Sequence, residues 1–171
     1  MDDVVDTVER PGLATPPPTR RDLYHGTTKA GAEAIVKNGV DPNFRKRNMD
    51  FGKGGFYTTE NRTQAEEWAQ NIAGRTPGAE PVVLHCRVSQ QDLDKLNNKK
   101  FDGPSQELDD FLRNSRTGGP MHNYDSVEGP MLRNLKGFLQ QGKPARLTGH
   151  QIAIYAPEAA AIFNRGLQGV L

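Results

Sequence analysis

The chain holds a single cysteine, Cys86, so it cannot form an internal disulfide, and no Cys/His cluster has the spacing of a zinc site. No metal is therefore expected, and Cys86, set in an apolar run, reads as a small core residue. No apolar run approaches the roughly 18 residues of a membrane span, and the acidic start Met1-Asp2-Asp3 lacks the basic-then-apolar order of a secretory signal. No membrane partner is expected, and the predicted place of action is a cytosol-like compartment, with delivery there inside a larger protein left open. A charge bias is also missing. With 22 Lys+Arg against 21 Asp+Glu the formal charge is +1, which excludes a global pull toward nucleic acid but leaves a local patch possible. Walker A loops, Rossmann glycine spacing, serine nucleophile elbows and His-Glu-x-x-His helices are all absent.

What the chain does have is length for one real core and a high content of turn formers, 18 glycines and 12 prolines in 171 residues. It is organised around Met49 to Glu60, where glycines 52, 54 and 55 run straight into Phe56-Tyr57-Thr58-Thr59. The glycines predict a loop that hugs a partner closely, and the aromatic residues a short strand. Asn61 and Gln64 have the spacing of a capping box, and Ala65, Trp68, Ala69 and Ile72 that of one helix face.

Residues 1–21, with Pro16-Pro17-Pro18, predict a flexible linker, and 22–171 a single folded domain. Leu23 to Thr27 predicts a strand, and Thr28 opens a helix with Ala30, Ala34 and Ile35 inward, stopped at Asn38-Gly39. Asp41 to Asn48 is a basic loop. Val82 to Val88 is the clearest strand, with Leu84, Cys86 and Val88 on one face and His85 on the other. A short helix over Ser89–Leu96, a polar turn and a helix over Ser105–Asn114 follow, and then a glycine-rich loop. Tyr124 to Pro130 predicts a strand with a turn that Leu132 to Leu139 carries on, and Gln151 to Tyr155 the last strand. Pro157 to Asn164 closes the chain as a helix. Short strands without regular strand-helix alternation predict an α+β fold.

His25-Gly26-Thr27 at a strand end, the stretch Phe51-Gly52-Lys53-Gly54-Gly55-Phe56-Tyr57 and a polar residue heading a late strand together resemble the diphtheria-toxin-like and poly(ADP-ribose) polymerase-like branch of ADP-ribosyltransferases. The chain also resembles a bacterial group with an Asp-Phe-Gly-Lys-Gly-Phe-Tyr-Thr-Thr signature and a later segment like Tyr124 to Pro130. The likeness spans about residues 23–165. It implies a split β-sheet core flanked by helices, with NAD as substrate and no metal. By the resemblance His25, Gly26 and Thr27 hold the adenosine ribose and nicotinamide amide. Phe51 and Gly54 belong to the cofactor loop, and Tyr57 stacks on nicotinamide with Phe56 as its rival, because one extra glycine separates this chain from the family pattern.

The family's late-strand Glu is matched by position by Gln151, whose neutral amide can bond a ribose hydroxyl but offers no charge to a developing cation. Glu128 is the alternative on chemical grounds. The implied activity is mono-ADP-ribosyl transfer to a protein or nucleic-acid acceptor by a bacterial toxin or effector domain, with an inhibitory immunity protein as partner. The alternatives are an NAD glycohydrolase and a non-catalytic NAD or ADP-ribose binding module.

Overall fold

The computed structural model describes residues 19–171. Most of the expected linker therefore lies outside the described residues. Its last two residues do not belong to a linker, because strand β1 runs Arg20–Thr28 and pairs residue by residue with β5, Pro81–Ser89, from Arg20 opposite Ser89 to Thr28 opposite Pro81. Between them come helix α1 (Lys29–Asn38), the hairpin β2 (Asn48–Met49) and β3 (Gly52–Lys53), β4 (Phe56–Thr58) and helix α2 (Arg62–Ala73). After β5 come α3 (Gln90–Asp94), β6 (Asn98–Lys100), α4 (Gln106–Arg116), β7 (Ser126–Leu132), α5 (Leu135–Gln140), β8 (Leu147–Ile154), α6 (Pro157–Arg165) and β9 (Leu167–Val170).

The fold is α+β. One antiparallel sheet has the order β9-β5-β1, and a second has the order β4-β8-β7-β6, antiparallel except for the parallel β6–β7 pair. Residues alternate between faces along each strand. Phe56, Ile152 and Ile154 of the second sheet therefore meet Leu23, Cys86 and Val88 of the first, with Phe163 of α6 closing this core. On the opposite face Tyr57, Val127 and Ala153 pack with Phe51, Leu108, Leu112 and Phe138. Each of the buried Phe and Leu side chains contributes roughly 1.5–3 kcal/mol by leaving water.

Helix starts follow the sequence signals. Thr28, Asn61, Ser89 and Ser105 each accept a backbone N–H at a helix N-terminus. The capping box at Asn61 is only half made, because the Gln64 amide turns away to donate to the His150 carbonyl at 2.7 Å. In α1 the inward residue is Ala32, with Ile35 half-buried, while Ala30 and Ala34 face solvent. The expected continuation of the strand through Leu139 does not occur. Leu135, Phe138 and Leu139 have i, i+3, i+4 spacing and turn into α5, which puts Phe138 in the core. Strands β6 and β9 carry little periodic signal and exist because a neighbouring strand edge receives them.

Two glycine expectations change. The glycine loop does hug a partner, but that partner is the chain itself. Gly54 and Gly55 donate backbone bonds to Arg47 and Pro42 of the basic loop at 2.9 and 2.8 Å. A Cβ at Gly54, where φ is +77°, would lie 2.8 Å from the Arg45 carbonyl oxygen. Gly26 serves packing: a Cβ there would run into the Ala65 carbonyl oxygen, 2.8 Å from the Ala69 nitrogen and 3.0 Å from the Trp68 Cβ, so α2 lies directly on β1. Gly26→Ala should accordingly lower stability by about 1–3 kcal/mol, as overpacked sites do. Chemical denaturation of the variant checks this, and a parental midpoint would show that α2 can shift without cost.

Candidate functional site

Strands β1 and β4 touch through one bridge and then part. Tyr24 donates to the Thr59 carbonyl at 2.8 Å and accepts from the Thr59 N–H at 2.9 Å. In an antiparallel ladder residues alternate in the direction their backbone groups point. Since Tyr24 points its N–H and C=O away from β5, Gly26, two residues on in the same unbroken register, does so too. At Gly26 β4 has already diverged, and among the described residues no strand pairs that edge of β1. One donor and one acceptor thus face the gap side by side, with the Trp68 Cβ against the Gly26 α-carbon.

His25 fixes the mouth of this gap. Its Nδ1 lies 2.7 Å from the Tyr57 carbonyl, which can only accept, so Nδ1 carries the proton and Nε2 presents a lone pair. Burial is the main force that pushes the imidazole down to about 4, against the backbone bond and with help from the Arg45 charge. The ring is therefore neutral at pH 7. It stacks on Phe56 with ring centroids 4.1 Å apart. Thr27 follows in β1, and Thr28 caps α1.

Tyr57 points its side chain to the other face of the sheet. Its hydroxyl accepts the Phe51 N–H at 2.9 Å and lies 3.1 Å from the Tyr155 hydroxyl, and its ring is packed against Phe51. Burial raises the pKa of both phenols, so both stay protonated at neutral pH. Beside them Asp50, 5 % exposed, receives Arg116 Nε and Nη2 on Oδ1 at 2.9 and 2.7 Å. The Leu132 N–H and the Gln151 Nε2 donate to its Oδ2 at 3.0 and 2.9 Å. Gln151, 4 % exposed, is thus a buried donor to Asp50 and to the Pro130 carbonyl, 3.3 Å away.

Glu128 lies within strand β7. Its Oε2 receives Arg21 Nη2 at 2.9 Å and His150 Nε2 at 2.8 Å. The Glu60 N–H donates to His150 Nδ1 at 3.2 Å, so His150 carries its proton on Nε2 and gives it to Glu128. Burial works to raise the Glu128 carboxyl, but the His150 and Arg21 hydrogen bonds and the Arg21 charge outweigh it and hold the pKa at about 2. These residues line a cleft of about 910 Å³ with Lys99, Lys100 and Asp102. Arg21, Leu23 and His25 share one face of β1, with Leu23 fully buried. His25 and the Glu128 cluster therefore stand about 13 Å apart along the strand, by the usual rise per residue.

The expected site residues thus fall into three groups. His25, Gly26, Thr27 and Phe56 gather at the strand parting. Phe51, Tyr57 and Gln151 lie on the opposite face of the second sheet, and Glu128 lines a cleft of its own. Gly54 supports the basic loop. Of the two rival rings, that of Phe56 meets His25, while Tyr57 offers His25 its carbonyl and turns its own ring to the other face. Trp68, Arg21 and His150 carry no motif signal, and Asp50, although it opens the glycine signature, gives no sign of its buried role, since each acquires its partner only across long stretches of chain.

A family model matches residues 22–134 of the 171, from the third residue of β1 past the end of β7. The chain belongs to the DUF3990 family. That family is described as a protein of unknown function, and its match covers His25, the glycine loop and Glu128 but stops before Gln151. No curated protein matches the chain. Among the described residues of this DUF3990 member, no group of three or more His, Cys, Asp or Glu residues is placed to hold a metal, and no helix is long and apolar enough to cross a membrane.

Two of the perturbed groups, His25 and Glu128, shape the acid response, and His122, also lowered by burial, adds to the upper window. His25 has a folded value of about 4 against 6.5 when free, so the unfolded chain binds the extra proton and stability falls from pH 6.5 to 4. Glu128, at about 2 against 4.5, stabilises above pH 4.5 and loses that contribution as pH falls to 2. Each window holds on the order of 2–3 kcal/mol. Unfolding free energy measured against pH should lose part of its upper slope in His25→Gln, with His122 supplying the remainder, and its lower slope in Glu128→Gln, and unchanged slopes would contradict these environments.

Proposed function

We propose that this chain binds NAD at the parting of β1 and β4 and transfers its ADP-ribose to a macromolecular acceptor, on an ADP-ribosyltransferase-like split-sheet core. The observation that carries the reading is the unpaired backbone edge of Gly26, which follows His25 in β1, together with an imidazole whose Nε2 keeps its lone pair. A carboxamide presents one donor and one acceptor in a plane and so complements the Gly26 C=O and N–H. Nicotinamide is a ring bearing that group, and the ribose hydroxyls next to it are donors for Nε2. Trp68 meets Gly26 through its Cβ and packs with the Tyr57 cluster, and Phe56 backs the imidazole. Holding the leaving nicotinamide and the ribose in this way orients the bond that breaks.

The third role in the reaction, a charge beside the ribose, has two claimants. Glu128 is ionised but held by Arg21 and His150 at a distance from His25, and Gln151 is engaged by Asp50. That separation favours a second reading, an NAD or ADP-ribose binding module in which turnover is slow or absent. In the catalytic reading, approach of the Arg21 end of β1 to the ribose puts Glu128 in the charged role. A toxin or effector carrying this site would need an inhibitory partner in the cell that makes it.

Incubation with labelled NAD and cell lysate separates the readings: label on macromolecules for transfer, free nicotinamide alone for hydrolysis, and neither for a binding module. The site itself is tested by calorimetry with NAD and with nicotinic acid adenine dinucleotide. The latter has a carboxylate that cannot donate to the Gly26 C=O, so it should bind at least about tenfold more weakly, the effect of one unmade hydrogen bond. His25→Ala should cost NAD about 1–3 kcal/mol by removing the ribose acceptor. Equal affinity for the two dinucleotides, or parental NAD binding in folded His25→Ala, would remove the assignment.

A further inference from the structure

The basic loop over residues 41–48 is held from beneath by its backbone and presents Phe44, Lys46 and Arg47 outward, with Arg45 half-buried beside them. Gly55 and Gly54 donate to the Pro42 and Arg47 carbonyls, and Asp41 Oδ1 accepts the Asn43 N–H at 2.9 Å. The loop is anchored at its base by the Val40 N–H, which donates to Asn164 Oδ1 at 2.8 Å. At its tip Phe44 is 83 % exposed, the most exposed large apolar side chain among the described residues. Its neighbours Arg45, Lys46 and Arg47 bring three cations in a row to a chain whose net charge is only +1. The like charges of Arg47 and Arg75, after burial, lower the Arg45 pKa, so these cations crowd one place.

The loop forms one wall of a cleft of about 540 Å³, within the range of small-ligand sites. Lys53, His122, Tyr124 and Tyr155 line the same cleft, and its one carboxylate, Asp125, is engaged by the Asn97 N–H at 2.8 Å. Cations alternating with exposed and half-exposed rings are what single strands of nucleic acid require, since phosphates take the charges and every base offers a π-face. An acidic peptide would use the cations but gain little from the rings.

We propose that this loop and the adjoining cleft dock single-stranded nucleic acid, with Phe44 as a stacking platform and Arg45, Lys46 and Arg47 on the phosphates. The inference stands apart from the NAD reading, because docking needs no NAD. If both hold, nucleic acid is the acceptor class, and ADP-ribose would be delivered to a strand lying along the face that carries the glycine loop.

The test is fluorescence anisotropy of the full chain with a fluorescein-labelled single-stranded oligonucleotide, as RNA and as DNA, without NAD. Binding should weaken steeply with salt, and the double variant Lys46→Gln, Arg47→Gln should flatten the logarithmic salt slope by about 1.4, at about 0.7 per lost phosphate contact. Phe44→Ala should weaken binding about tenfold with little change in that slope, the effect of one lost base stack. Neither change touches the core, and circular dichroism melting confirms that the variants are folded. Absence of binding at low salt, parental affinity in both variants, or equally tight binding of duplex DNA or of poly-glutamate would each overturn the proposal. Failure here with intact NAD binding leaves the strand-parting site untouched, and the reverse result separates the two claims in the other direction.

Discussion

The buried carboxylate of Asp50 is the interaction on which the second half of the structure depends. A carboxylate taken out of water is costly unless its oxygens are filled. Here they are filled by a guanidinium, a backbone N–H and a side-chain amide drawn from α4, the end of β7 and β8. These partners lie 66, 82 and 101 residues further along the chain, so this one group fixes where helix and strands sit relative to the glycine hairpin. Tyr57 extends the same tie, since its hydroxyl caps the Phe51 N–H next to Asp50.

This arrangement explains why the glycine stretch is so rich in glycine. Its residues are compressed between the basic loop above and the Tyr155 ring beside them. A Cβ at Gly55, where φ is +90°, would lie 2.8 Å from Tyr155 Cε1. The hairpin therefore acts as a rigid shelf that aims the loop of Phe44 outward. Gly26 applies the same economy to α2. By letting that helix lie on β1, it brings Trp68 beside a backbone edge that β4 has left open.

Charge is distributed by the same logic. Glu128 is kept ionised by Arg21 and His150, in a cluster that joins β1 to β7 and β8 at the far end from His25. His25 is kept neutral by burial and by the Tyr57 carbonyl. The two ends of one strand row thus hold opposite electrostatic conditions, with the fully buried Leu23 between them. A ligand spanning that row would meet a neutral acceptor at one end and a compensated carboxylate at the other.

Local chemistry in the sequence determined the elements whose signals are short in range. The helix starts at Thr28 and Asn61, the alternation of Leu84, Cys86 and Val88, and proline at the start of α6 each act within a few residues and stand in the structure, although the box at Asn61 is only half made. The turn from β7 into α5 was also written in the spacing of Leu135, Phe138 and Leu139, although Leu132 to Leu139 reads equally well as strand until a core face is known. Tertiary structure alone decided which ring of Phe56-Tyr57 meets His25, because side chains alternate across a strand and only the pairing with β8 says which face is which. It likewise decided that Gln151 is a buried prop for Asp50 and that Glu128 is an ion-paired strand residue. Hydrogen-bond partners so distant along the chain leave no local trace, and they exist only once the sheet has brought their strands together.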